Sequence, residues 1–257
     1  MTLPMRQAAA AVRWLEGRVP NKPKADEDSL AKSALTDADC VSQEILLAAL
    51  VEVAPEVELD AEEDTPLAHE FECNRSEYRV RIDPIDGTLR YVSGDGLYAI
   101  ILGVERNNEV VAALISVPQE DVLVRAVRGQ GAEISRRRES FQAARVNADG
   151  NRVLVSHGVS DAALAAIRAE GAETQLAAGG AIGLAPLLKE TTAGLRISAK
   201  PKGVSPRGWV AAFVAREAGA RACGLDAELP PRFEPGVEGL IIASDQARAE
   251  QMREKLR

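Results

Sequence analysis

The hydrophobic period of this chain changes twice along its length, and that pattern limits the folds open to it. Met5, Ala8, Val12 and Leu15 fall at helical spacing, with Gly17 and Pro20 as stops. A second helix is expected from Thr36–Asp39 to Pro55, with Val41, Ile45, Leu46 and Ala49 on one face. From Tyr78 the period becomes two. Residues 78–82 read as a strand, and 97–105 and 109–117 as a pair joined by a hairpin turn at Arg106-Asn107-Asn108. After a turn at 118–121, residues 122–127 complete three antiparallel strands in series, a meander that ends at Gly129–Gly131. Residues 136–145 form a polar, basic connector, and beyond it strands alternate with helices. The strands are expected at 152–156, 195–199 and 239–243, the helices at 160–171, 179–192, 206–218 and 244–257. An α+β half over 1–145 and an α/β half over 146–257 result. Residues 21–32, 56–64 and 65–76 read as surface loops.

Chemistry is limited by what the chain lacks. Only two histidines (His69, His157) and three scattered cysteines (Cys40, Cys73, Cys223) are present, which excludes a disulfide framework and a zinc ligand set. With 31 basic and 39 acidic side chains the formal charge is −8, the wrong sign for sequence-independent nucleic-acid binding. No apolar run approaches the roughly 18 residues of a membrane span. A cytoplasmic globular protein is expected, one that would hold any metal through oxygen. Aromatic residues make up 4% of the chain, so Ala, Val, Leu and Ile must build the core.

Asp83-Pro84-Ile85-Asp86-Gly87-Thr88 is the most informative segment. Pro84 fixes its own φ and Gly87 permits a tight or left-handed backbone, so two carboxylates are held together at the end of a strand. Such a pair suits one hard divalent cation, or bridges two; Mg²⁺ favours carboxylate, carbonyl and water ligands. Asp-Pro and Asp-Gly are also ordinary turn chemistry, and both readings stand on this hexapeptide alone.

The surrounding sequence resembles the inositol monophosphatase family of Mg²⁺-dependent, lithium-sensitive phosphatases. The resemblance rests on the hexapeptide after a strand, the meander behind it with "AVRGQGAEI", and "LTDAD" (35–39) at a helix start. It extends to "AEED" (61–64), with Glu62 lying 21 residues before Asp83, and to "REAG" (216–219) and "GLIIAS" (239–244). It implies a layered α-β-α-β-α sandwich with the site between the two halves, and a commonly dimeric protein. It also implies roles. Glu62, Asp83 and the Ile85 carbonyl would hold a first Mg²⁺, and Asp83 and Asp86 would contribute to a second. Thr88, backed by Asp39, would orient the attacking water together with Glu62, while Gly87 and Thr88 N–H groups would meet the phosphate. Gly179-Gly180 is similar to the family's glycine-led substrate loop, which makes Gly180 a substrate contact. Asp39 also has the spacing of a capping box with Thr36, and Glu62 that of one more charge in an acidic loop.

The chain departs from the family at the aspartate that would complete the second metal site. Counting back ten residues from Glu217 lands on Arg207, and no aspartate lies between Asp161 and Asp226. At roughly 5 Å and an effective dielectric near 20, a unit positive charge repels a divalent cation by about 6 to 7 kcal/mol before screening. Arg196 and Lys200 stand where the family has carboxylates that read sugar hydroxyls, and Lys202 adds to them. Either these form a solvated basic patch or they favour additional phosphate or carboxylate on the ligand. Two functions follow. One is a Mg²⁺-dependent phosphatase for a small anionic ester, of inositol or sugar phosphate or 3′-phosphonucleotide type, with Arg207 as a phosphate clamp. The other is a catalytically impaired relative that binds a phosphorylated ligand or partner without turnover.

Overall fold

A computed structural model of the chain describes residues 1–21, 36–71, 76–198, 203–226 and 228–256. Cys73, Lys200 and Lys202 lie outside these residues, as do most of the 21–32 loop and the middle of the 65–76 loop.

Two helices come first. α1 (Thr2–Leu15) buries Met5, Ala8 and Val12. α2 (Asp37–Val53) begins in a capping box: the Thr36 side chain accepts from the Ala38 N–H, and the Asp39 carboxylate accepts from the Thr36 N–H. The buried face of α2 differs from the expected one. Ser42, Gln43, Leu46, Leu47 and Leu50 point inward, while Val41 is 40% exposed. Two polar side chains displace an apolar one because loops packed against this face supply their hydrogen-bond partners, as described below.

A seven-stranded sheet follows in chain order. β1 (Glu58–Ala61) runs parallel to β2 (Tyr78–Asp86). β3 (Ala99–Arg106), β4 (Glu109–Val117), β5 (Val122–Val127), β6 (Gly131–Arg136) and β7 (Gln142–Ala143) then add in antiparallel order. The β3–β4 turn carries Asn107 and Asn108 at φ 54° and 59°, as a two-residue hairpin of primed type requires. The meander is longer than the sequence pattern implied, since β6 and β7 occupy the stretch read as turn and connector, and β1 lies in the acidic loop.

The second sheet has the order β11-β12-β10-β8-β9. β8 (Arg152–Val155), β9 (Glu173–Leu176) and β10 (Thr191–Arg196) are parallel. β12 (Leu240–Ala243) is antiparallel to β10, and β11 (Arg221–Cys223) to β12. The expected helix over 179–192 is three shorter pieces: a helical turn at Gly179–Gly183, a 3-10 turn at Ala185–Leu187, and the start of β10. Pro186, with no N–H to donate, prevents a continuous helix.

The layers alternate helix, sheet, helix, sheet, helix, as expected. Strand alternation separates the two faces of the first sheet: Ile100 and Leu102 pack on α1 and α2, while Ala99 and Ile101 face the middle layer. In that middle layer, the 179–183 turn and the helix Pro206–Glu217, the buried residues are mostly Gly, Ala and Val, with Ile182, Trp209 and Phe213 among them. A Cβ on Gly103 would come within 2.6 Å of Val210, so glycine lets sheet and helix approach. Outside the second sheet, helices Asp161–Ala169 and Gln246–Lys255 cover Val153, Val155 and Ile241. Among the described residues no helix is long and apolar enough to cross a membrane.

Candidate active site

The site forms where β2 loses register with β3. Asp83 pairs opposite Ile101 and Asp86 opposite Ala99, so β2 carries one extra residue there, and the bulge turns its side chains out of the regular alternation. Gly87 follows at φ 98° and caps a short helix, α3 (Thr88–Ser93). A Cβ at Gly87 would have a strained φ and would collide with Ala178, so the turn requires glycine. Asp83 and Thr88 are buried as a result.

Beneath the turn, the Thr88 hydroxyl lies 3.0 Å from Asp39 Oδ1 and 3.1 Å from the Ile85 carbonyl oxygen. Thr36 donates to Asp39 Oδ2 through both its N–H and its hydroxyl, at 2.8 and 2.7 Å. Burial lifts the Asp39 carboxyl to about 6 although these hydrogen bonds favour its charge. The capping role and the site role therefore belong to the same side chain, one oxygen for each.

Two residues that the sequence did not single out hold the loops in place. Ser42 Oγ donates to the Pro84 carbonyl at 2.9 Å. Gln43 donates to the Glu63 carbonyl and to Thr65 Oγ1, and accepts from the Glu63 N–H at 3.0 Å. One helical turn thus fixes both the aspartate turn and the loop bearing Glu62. The signal was present: adjacent polar residues among the apolar positions of a helix.

Three carboxylates and two guanidinium groups converge here. Arg207 Nε lies 3.2 Å from Asp83 Oδ2, and its Nη2 lies 3.6 Å from Glu62 Oε2. Burial, and then the charges of Glu62 and Asp86, push Asp83 well above the usual carboxylate range against the pull of Arg207. Asp86 is also raised by burial, opposed by the Arg196 charge and by the Gly180 N–H that donates to it. Burial opposes the charge on Arg207, but Asp83 and Glu62 outweigh it and hold the guanidinium protonated. The Arg196 guanidinium lies against Gly179, where any Cβ would collide with it, and near Gly208.

The structure therefore gathers Glu62, Asp83, Asp86, Thr88, Asp39 and Arg207, with Gly87 shaping the turn. The expected substrate contact Gly180 directs its N–H at Asp86, and the Ile85 carbonyl accepts from Thr88.

A strand-end carboxylate turn at the edge of a five-layered α/β sandwich, backed by a buried hydroxyl–carboxylate pair, defines the class of protein. The model of the inositol monophosphatase family matches residues 2–188, and the chain belongs to that family. It is 29% identical over 112 residues to a fructose-1,6-bisphosphatase/inositol-1-monophosphatase of Aquifex aeolicus. That match covers 44% of this chain and 40% of the relative, so the chain spans about two fifths of that curated protein. The fold is similar to that of the extragenic suppressor protein suhB from Bartonella henselae, with TM-score 0.74 and 18% identity over 100% of this chain and 96% of that one. It is also similar to an IMPase/NADP phosphatase complexed with Mg²⁺ and phosphate, with TM-score 0.66 and 18% identity over 98% and 91% of the two chains.

The donor set suits a hard cation in its chemistry, since carboxylates and a main-chain carbonyl are oxygen ligands. Asp83 Oδ1 is a buried acceptor with no hydrogen-bond partner, and two guanidinium groups leave three crowded carboxylates short of charge. Arg207, however, already lies between Asp83 and Glu62. Among the described residues no three acidic, His or Cys side chains are gathered tightly enough to share an ion. In donor chemistry the residues fit a divalent cation, and Arg207 is paired with two of them.

Proposed function

We propose that this protein hydrolyses a small, strongly anionic phosphate monoester, of inositol or sugar phosphate or 3′-phosphonucleotide class, with Mg²⁺ as cofactor. The observation that carries this reading is the Thr88–Asp39 pair buried beside Asp83 and Asp86. The Thr88 proton is directed at Asp39 and the Ile85 carbonyl, which leaves the hydroxyl lone pairs free to accept a hydrogen bond from water. A water so held stands next to the carboxylates Glu62, Asp83 and Asp86, which would hold Mg²⁺ together with the Ile85 carbonyl. The ion would neutralise phosphate oxygens and lower the pKa of the attacking water. Glu62 would orient that water together with Thr88. The N–H groups of Gly87 and Thr88 and the Arg207 guanidinium complete an anion-binding surface, with Gly180 positioning Asp86.

A specific observation favours the second reading, a relative that binds phosphorylated ligands without turnover: Arg207 faces both Glu62 and Asp83. Phosphate release from a panel of small esters, with and without Mg²⁺ and beside Asp83→Asn, separates the two. Mg²⁺-dependent turnover that disappears with Asp83→Asn supports the hydrolase. A silent panel with retained phosphate binding supports the second reading.

A further inference from the structure

The helix that carries Arg207 sets this cation at an end unfavourable to it. The helix Pro206–Glu217 opens with Ser205 as its N-cap, Pro206 in its first turn and no acidic side chain there. Arg207 thus brings a positive charge to the positive end of a helix. The carboxylates around it, Asp83 and Glu62 foremost and then Asp60 and Asp86, offset this. Their grip is loose: Arg207 Nε and Asp83 Oδ1 are both buried polar atoms without a hydrogen-bond partner, although the two side chains approach to 3.2 Å. The guanidinium fork is therefore attracted by charge but not matched by geometry, whereas a phosphate offers three oxygens to the same fork.

We propose that Arg207 is a tethered cation that exchanges partners, leaving Asp83 and Glu62 for the phosphate of the bound ester, so that Mg²⁺ and phosphate bind interdependently. This inference rests on the proposed phosphate-ester site and adds the order of its assembly. With all three carboxyls ionised, as ligation of a cation requires, three carboxylates against two guanidinium groups leave the site one negative charge. A divalent cation arriving alone must share Asp83 and Glu62 with a like charge at contact distance. A phosphate dianion arriving with it takes Arg207 away, and every charge then adjoins one of opposite sign. The group that repels the metal is the group that draws in the ester, so each ligand raises the affinity of the other by the same factor. Arg196 stays beside Asp86 in both states, held against Gly179.

The test is calorimetric titration of the full, chelator-treated chain with Mg²⁺, alone and in saturating inorganic phosphate. Phosphate should tighten Mg²⁺ binding at least about tenfold, and Mg²⁺ should tighten phosphate binding equally. Arg207→Met should bind Mg²⁺ alone more tightly than the wild type does, with the coupling reduced to about twofold or less. Arg207→Lys, which keeps the charge, should retain coupling and so separate charge from packing. Equal Mg²⁺ affinity with and without phosphate in the wild type overturns the exchange, even where ester hydrolysis persists. Loss of Mg²⁺ binding, phosphate binding and hydrolysis together overturns the proposed function as well.

Discussion

Asp39 sits 1% exposed beneath Thr88, and burial lifts its carboxyl to about 6. Its ionised form is the one that takes the Thr88 proton, so phosphate release should fall as pH drops through about 6. In the proposed reaction Asp39 acts through Thr88 as a positioning residue, so Asp39→Asn should remove that acidic limb as well as lower kcat. A pH–rate profile checks both. The same shift has a sign for folding. A carboxyl raised above its unfolded value contributes stability that is present at low pH and lost as pH rises through the folded value. Between pH 5 and pH 7 the wild type should therefore lose about 1 kcal/mol relative to Asp39→Asn, read from urea midpoints at the two pH values. Thr88→Val should lower kcat at least about 100-fold, whereas Thr88→Ser should retain activity, since the hydroxyl carries the role.

At the scale of elements, α2 joins the site to the core through two side chains. Gln43→Leu removes the hydrogen bonds to the Glu63 N–H and carbonyl and should cost about 1–3 kcal/mol in denaturant melts. It should also weaken Mg²⁺ binding in calorimetry, because the Glu62 loop is no longer held. The sequence disclosed the elements with strong periods, together with the turn chemistry of Asp83–Thr88. It concealed β1 and β9, whose segments ELDA and ETQL are short and carry too little apolar residue to signal a strand. It also concealed the break at 184–190, where Leu184, Ala185, Leu187 and Leu188 suit a helix on either side of Pro186. At the site, Arg207 could be located by counting residues. Its contacts with Glu62 and Asp83 depend on how three separate layers meet, which no local pattern encodes. Ser42 and Gln43 looked like surface positions because the loops that bury them are distant in sequence.

The whole molecule is tied together by its middle layer. One apolar cluster runs from Ile101, Ile115 and Val124 of the first sheet through Ile182, Val210 and Val214 to Leu154 of the second. Residues 1–145 and 146–257 expressed separately should each lose the face that the other covers. Neither half should give the single cooperative melting transition expected of the full chain; scanning calorimetry of the three proteins checks this. The closeness of this layer also determines which substitutions the protein can accept over time. A Cβ at Gly183 would collide with Ala211 and one at Gly103 would press on Val210, so a single added methyl group forces apart two helices of the middle layer or that layer and the first sheet. Mutational tolerance here is governed by volume, while the rim of the site, where Arg196 and Arg207 project, is governed by charge. A lineage with this architecture is therefore free to change what its pocket recognises long before it can change the thickness of its interior.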